Sequence, residues 1–304
     1  MRVLMTGATG MIGRALCEAL VRDGAEVNAL SRQPERAKST LSLLTRAWAW
    51  QADAPPPPES MVDVDVVVHL AGESVAGRWT KARRAAIRDS RVEGTRLLVE
   101  AMRQADRPPG CLVSASAIGY YGERGDDRLG EDEPPGDDFL ADVCAGWEAA
   151  ASRASEFGVR VVLCRLGIVL AAGAGAMAEL WGPATLGLGG PLGTGRQWWS
   201  WIHLDDAVAA FKEACQREEM VGAYNVTAPS PERQKAFAQT LGRVVGRPSF
   251  LPAPAFALRA VLGGFSAELL SSRSVIPTRL LEQGFTFRHP DLEPALQAIQ
   301  RVWP

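Results

Sequence analysis

The residues best suited to chemistry stand at the start of the chain. Thr6-Gly7-Ala8-Thr9-Gly10-Met11-Ile12-Gly13 sets three glycines at three-residue intervals between an apolar run and a helical pattern. Glycine lets a backbone turn tightly and approach a pyrophosphate, and the following helix offers the anion free N–H groups and a positive dipole end. The spacing alone is a weak signal, but at the first turn of a strand–helix–strand unit it reads as a dinucleotide cradle. The bland alternative is that the glycines only permit close strand–helix packing. In such a unit the second strand ends in Asp or Glu when the adenosine ribose carries a free 2′-hydroxyl. Here it ends in Ser31-Arg32, with Arg36 and Lys38 nearby and no carboxylate between Asn28 and Gln33. A guanidinium binds phosphate bidentately where a carboxylate would repel it, so NADP(H) is favoured over NAD(H). An exposed arginine on a surface loop is the other reading. Two later apolar runs end in Leu70-Ala71-Gly72, followed by Glu73, and in Ser114-Ala115-Ser116. Small residues there sit at the carboxyl edge of a sheet, where open α/β folds hold ligands, although turn chemistry also selects them.

The elements that position these groups are legible from periodicity. RVLMTG, the helical pattern MIGRALCEALVRDG and AEVNALS form a βαβ unit, with Leu16, Leu20 and Val21 on one helix face. Further apolar runs are Ala47 to Ala52, Asp63 to Gly72, Cys111 to Ala117 and Val159 to Leu170, and a long helix is expected over Asp89 to Ala105. Continuous Val/Ile/Leu strands are buried on both faces, which predicts an α/β fold with a doubly wound parallel sheet. The run Ala54 to Glu59 (APPPPE) predicts an extended crossover rather than a helix. Residues 123–138 carry eight carboxylates, two arginines and no apolar periodicity, as a solvated loop would, or a lid beside a pocket. Beyond about residue 230 frequent prolines and short helical runs mark a small C-terminal lobe, with a short strand expected at Gly284 to Phe287 and a last helix near Asp291.

A chain of 304 residues, 47% hydrophobic, has enough material for one large core with an appended lobe. Its net charge of −2 sets up no field to attract nucleic acid or an anionic membrane. Five scattered cysteines without a Cys-x-x-Cys pair suggest neither a disulfide framework nor a metal site, and fit reduced thiols in a cytoplasmic protein. No export signal precedes the first strand, and the most apolar stretch is too broken by glycine and arginine to span a bilayer.

Longer stretches carry a family resemblance: TGATGMIG, VHLAGESVAGRW, SRVEGTRLL, SASAIGYYG, WEAAA, LGLGGPLGTGRQWWSWIHLDDA, YNVTAP and VIPTRLLEQGFTFRHPDL. Together they cover almost the whole chain, which resembles an atypical extended short-chain dehydrogenase/reductase of the "epimerase family protein" group. The resemblance implies an NADP-binding Rossmann domain over residues 1–230 and a small C-terminal domain over 231–304, with 171–200 contributing to a substrate cleft. It implies Ser31 and Arg32 at the 2′-phosphate, Leu70 and Ala71 near the adenosine or pyrophosphate, Arg91 reaching the cofactor, and Gly167 and Ile168 at the nicotinamide end. The implied partner is a small-molecule substrate, and the oligomeric state is left open, a homodimer included.

Two departures from the resembled pattern bear on chemistry. Extended members carry Tyr-x-x-x-Lys four residues before a Glu; anchored on Glu148, those positions are Leu140 and Cys144. Without the pair, a proton must come from elsewhere, and the candidates are Tyr120, Tyr121, Ser116, Glu73 and His203, of which the tyrosines and the histidine also read as scaffold. Sugar-nucleotide epimerases place a diphosphate-binding arginine where this chain has Trp199. With Trp198 and Trp201 it suggests an apolar or planar substrate, or else packing between lobes. The expected function is an NADP(H)-dependent oxidoreductase or epimerase-like enzyme; the alternative is a binding protein that performs no hydride transfer.

Overall fold

The computed structural model describes residues 1–303. Seven parallel strands make the central sheet: Arg2–Thr6, Glu26–Ser31, Ala47–Ala49, Val66–His69, Cys111–Ala117, Arg160–Leu166 and Gly222–Val226. Counted along the chain, they lie in the order 3-2-1-4-5-6-7, the doubly wound arrangement. Alternate side chains feed two cores. Val3, Met5, Val27, Val66, Val68 and Val113 face the helices Met11–Arg22 and Leu204–Gln216. Leu4, Leu30, Val67 and Leu112 face the helix Lys81–Gln104 through Leu98 and Met102. Burial on both faces is why these strands read as unbroken aliphatic runs.

Several elements differ from the sequence reading. The long helix begins at Lys81, eight residues before Asp89, because the Thr80 side chain accepts the Arg83 N–H at 3.2 Å and caps it. In that first part Ile87 alone is buried, so apolar periodicity has nothing to report there. The run Val159 to Leu170 is two strands, not one. It breaks at Gly167, after which Ile168–Ala171 pairs with Trp201–His203 outside the main sheet. Gly284 to Phe287 forms no strand pairing among the described residues; the chain is instead pinned just beyond it by buried Asp206, which accepts the backbone N–H groups of Arg288 and His289. The proline stretch is extended as expected, ending in a single tight turn at Pro58–Met61.

The acidic segment keeps most of its carboxylates exposed, as a solvated loop would, but it is tied down at three points. Arg128–Leu129 pairs with Ser274–Val275, Glu131 is buried and accepts the N–H groups of Asn225 and Arg279, and Asp138 caps the helix Phe139–Ser152. Its carboxylates therefore tie the C-terminal residues to the sheet. A third core joins Leu170, Met177, Trp181, Trp199 and Trp201 to Phe237, Leu241, Leu296 and Ile299, so the chain beyond residue 230 shares its interior with 168–201.

Candidate functional site

The glycine turn is built at the carboxyl end of the first strand. Gly7 has φ 71°, and a Cβ there would lie 2.9 Å from the Leu70 carbonyl carbon. A Cβ on Gly13 would lie 2.3 Å from the Gly7 carbonyl oxygen. Gly10 stands at the N-cap of Met11–Arg22, whose first turn has no side-chain cap and no acidic residue. The N–H groups there are free for an anion. Thr9 and Gly10 line a cleft of about 510 Å³ that continues over Ser31, Arg32, Leu70, Ala71, Gly72 and Glu73. Met11 turns its sulfur to Gly175 on the far side of the turn, and Ile12 packs into the core. A larger groove of about 940 Å³ lies along the proline stretch, where no crossover helix stands between the third and fourth strands.

The floor of the cleft is held from below. The Thr6 hydroxyl oxygen accepts the N–H groups of Leu70 and Ala71 at 3.1 and 3.0 Å, so its own proton goes to His69 Nδ1 at 2.7 Å. His69 then donates from Nε2 to Thr95 at 2.9 Å and is neutral in this arrangement. Burial, followed by the Arg91 charge, pushes its pKa from 6.5 down to about 4. Between those values the unfolded chain holds a proton that the folded one lacks, so stability falls as pH drops through that window, by at most about 1.4 kcal/mol per pH unit. Urea unfolding at pH 7.5 and pH 5 measures the slope, which a His69→Gln variant is expected to flatten. Arg91 lies under Gly72 and donates to the carbonyls of Glu73 and Ile87. It thus holds the loop rather than reaching across the cleft, while Glu73 is paired with Arg83 at 2.7 Å. Arg32 is exposed, and no carboxylate pairs with it among the described residues.

Two of the five sequence candidates for proton transfer are consumed by a buried network. Ser116 donates to Glu148 at 2.6 Å, and Arg165 donates to both Glu148 oxygens at 2.8 Å. Arg165 also donates to the Tyr121 hydroxyl, which donates in turn to Asn225. Burial pushes the Tyr121 pKa up to about 12, the wrong direction for a proton donor near neutrality. The hydroxyls of Ser116 and Tyr121 are both engaged in this network, the scaffold role that the sequence also offered for Tyr121. Tyr120 lies with its ring 3.6 Å from the Arg165 guanidinium and packs on Leu129 and Val275. Ser114 donates to the Ala115 carbonyl within its own buried strand. Gly167 and Ile168 do not line the cleft: a Cβ on Gly167 would lie 2.6 Å from the Ser200 carbonyl oxygen, and Ile168 packs in the third core. His203 caps the helix Leu204–Gln216 by accepting the Asp205 N–H, a scaffold role.

The family model described as NAD dependent epimerase/dehydratase family matches residues 3–227. The chain belongs to this family. A second model, a domain of unknown function (DUF1731), matches residues 253–299. The chain is 38% identical over 303 residues to an Arabidopsis thaliana protein described as epimerase family protein SDR39U1 homolog, chloroplastic, covering 99% of this chain and 87% of that one. Human epimerase family protein SDR39U1 (isoform 2), solved with NADPH, superposes with a TM-score of 0.90 at 36% identity, covering 99% of this chain and all of that one. A Thermus thermophilus UDP-glucose 4-epimerase solved with NAD shares the fold, with a TM-score of 0.78 at 22% identity and coverage of 99% and 98%.

In this epimerase-family chain the helix Phe139–Ser152 presents Leu140 and Cys144 to Gly119, within 3.5 and 3.7 Å of where a Cβ would stand. Burial pushes the Cys144 thiol up to about 12, so it is no nucleophile. Trp199 and Trp201 are buried in the third core, and Trp199 donates to the Leu269 carbonyl at 3.2 Å. Trp199 and Trp201 thus pack the two lobes together, while half-buried Trp198 lies under the Arg233 guanidinium, 4.0 Å from its ring centroid. Sequence reasoning missed Thr6, His69 and Thr95, whose hydrogen bonds hold the cleft floor; nothing in their spacing signals that they meet. Among the described residues no helix is long and apolar enough to cross a membrane.

Proposed function

We propose that this chain is an NADP(H)-dependent oxidoreductase or epimerase-like enzyme acting on a small molecule. The observation that carries the cofactor is the cleft running from the Gly7–Gly13 turn to an unpaired Arg32 beside Ser31. The glycine turn fits a pyrophosphate because the close backbone packing that Gly7 and Gly13 permit sets the uncapped first turn of the helix Met11–Arg22 at the cleft, and Arg32 with Ser31 fits a 2′-phosphate. The NADPH of the human relative, 36% identical, supports the same choice. When bound, the nicotinamide supplies hydride chemistry; the chain supplies orientation and exclusion of water. The substrate side is assigned to residues 171–200 and 231–304.

Arg32→Ala is expected to weaken NADPH binding about 10- to 100-fold while NADH binding barely changes, since one charge-assisted phosphate contact is lost. Tryptophan fluorescence quenching measures both. Equal losses for the two dinucleotides would place the 2′-phosphate elsewhere.

A second reading, a binding protein without turnover, is favoured by Leu140 and Cys144 standing in for the usual pair and by the engaged hydroxyls of Ser116 and Tyr121. Stereospecifically deuterated NADPH supplied with a broad carbonyl panel separates the two. Label found in a product establishes chemistry, and its absence throughout the panel favours the binder.

A further inference from the structure

A carboxylate from the C-terminal residues occupies the place that Leu140 and Cys144 leave without a proton donor. A Cβ on Gly119 would have three nearest neighbours: Leu140 Cβ at 3.5 Å, Cys144 Sγ at 3.7 Å and Glu268 Oε1 at 3.8 Å. The first two are the positions at which the resembled enzymes carry tyrosine and lysine. The third belongs to the helix Ser266–Leu270, about 120 residues further along a chain that folds back on itself. We propose that Glu268 exchanges the proton at the substrate oxygen and that Arg273 positions it, a carboxyl–guanidinium pair in place of Tyr-x-x-x-Lys.

The surroundings of Glu268 are those of a working group rather than a buried anchor. Its side chain is 16% exposed and that of Arg273 7%. Arg273 Nη1 lies 2.7 Å from both carboxylate oxygens, but its hydrogen bond is directed at Oε2. Oε1 is shielded from water and has no hydrogen-bond partner. Oε1 has the Arg273 charge beside it but no hydrogen bond directed at it, and a substrate hydroxyl or a carboxyl proton would satisfy it. Arg273 is itself fixed, donating from Nε to the Gly122 carbonyl at 2.9 Å and standing 4.0 Å from Asp138, the cap of the helix that carries Leu140 and Cys144. Tyr120, the remaining hydroxyl candidate, is half-buried with its ring packed against the cluster of Ile118, Tyr121, Leu129 and Val275, and the test below sets it against Glu268.

The segment that carries Glu268 also closes on the loop that follows Glu73. A Cβ on Gly264 would lie 2.8 Å from the Trp79 ring, and one on Gly263 would lie 3.5 Å from the Arg78 side chain. The preceding helix Ala255–Leu262 buries none of its residues, so little apolar contact opposes lifting the segment to admit a ligand.

The proton balance is simple. In the reducing direction the substrate carbonyl carbon gains a hydride, and its oxygen is left one proton short. Glu268 takes up its proton from water while the segment is lifted; its O–H bond breaks as the substrate O–H bond forms, and the carboxylate returns to Arg273. Oxidation reverses each step.

The inference rests on the enzyme reading above, and the test separates the two. Wild-type protein, Glu268→Gln, Glu268→Asp and Tyr120→Phe are assayed with NADPH against 9,10-phenanthrenequinone and a panel of aldehydes and ketones. Glu268→Gln is expected to lose about 100-fold or more in kcat with KM little changed, Glu268→Asp to keep part of the rate, and Tyr120→Phe to match wild type. NADPH binding, read by tryptophan quenching, is expected to stay at the wild-type level in all three variants. If the glutamine variant fails this binding check, the aspartate variant decides, since it keeps the pair's charge. Glu268→Gln turning over at the wild-type rate, or Tyr120→Phe losing the rate while Glu268→Gln keeps it, overturns this inference alone. Wild-type protein inert toward the whole panel overturns the enzyme reading and this inference with it.

Discussion

Arg165→Met is expected to lower the free energy of unfolding by about 3–5 kcal/mol, because it leaves a buried carboxylate without its cation. Arg165 is 4% exposed and Glu148 7%. The guanidinium uses three nitrogens on four acceptors: both oxygens of Glu148, the Tyr121 hydroxyl and the Glu131 carbonyl. Its plane also covers the Tyr120 ring. Methionine replaces the aliphatic stem but none of these donors, so Glu148 retains only the Ser116 hydroxyl. Urea unfolding measures the loss. The double variant Arg165→Met, Glu148→Gln is expected to be more stable than the single one, since the cost lies in the orphaned charge rather than in the pair itself. A loss below about 1 kcal/mol would mean that water reaches Glu148.

Gly13→Ala is expected to weaken NADPH binding by about 10- to 100-fold, the equivalent of about 1–3 kcal/mol of displaced backbone. The new methyl would meet the Gly7 carbonyl oxygen at 2.3 Å and the Ala8 Cα at 2.8 Å. Both are backbone atoms of the cradle, and Gly7 cannot retreat, because it already lies against the Leu70 carbonyl carbon. The first turn of the helix and the strand end must therefore part, and the N–H groups that face the anion move with them. Gly182→Ala is the control: nothing lies within 4 Å of its Cβ position, and it sits inside the helix Gly175–Thr185. That change is expected to leave binding intact and to stabilise by up to about 1 kcal/mol. Calorimetric titration with NADPH compares the two, and equal affinity for both variants would show that the turn is not the cradle.

The alternation of apolar strand and amphipathic helix, the glycine turn and the Ser31-Arg32 strand end are short-range facts, and each was legible in the sequence. Periods of 2 and 3.6 and the special backbone of glycine are local properties, so a few neighbouring residues specify them. The resemblance reached further and named the family, whereas the surroundings of Arg91, Gly167 and Ile168 come from contacts that only the folded chain makes. Gly167 is explained by the Ser200 backbone, 33 positions away in the chain and adjacent to it in space.

What the tertiary structure decided is which polar groups remain free. Ser116, Tyr121 and Glu148 are ordinary residues along the chain; they become a satisfied network only because three strands and a helix bring Arg165 and Asn225 against them. Conversely, Glu268 stands in an unremarkable helical run, SAELL, and nothing near it in sequence points to Gly119. Hydrogen-bond satisfaction depends on every neighbour within about 3 Å, and those neighbours come from distant segments that only the packed chain brings together. The sequence by itself determined the fold and the cofactor end of the cleft, where function follows from backbone shape. The neighbourhood of Gly119 gathers Leu140, Cys144 and Glu268 from the middle and the far part of the chain, and folding alone brings them to one place.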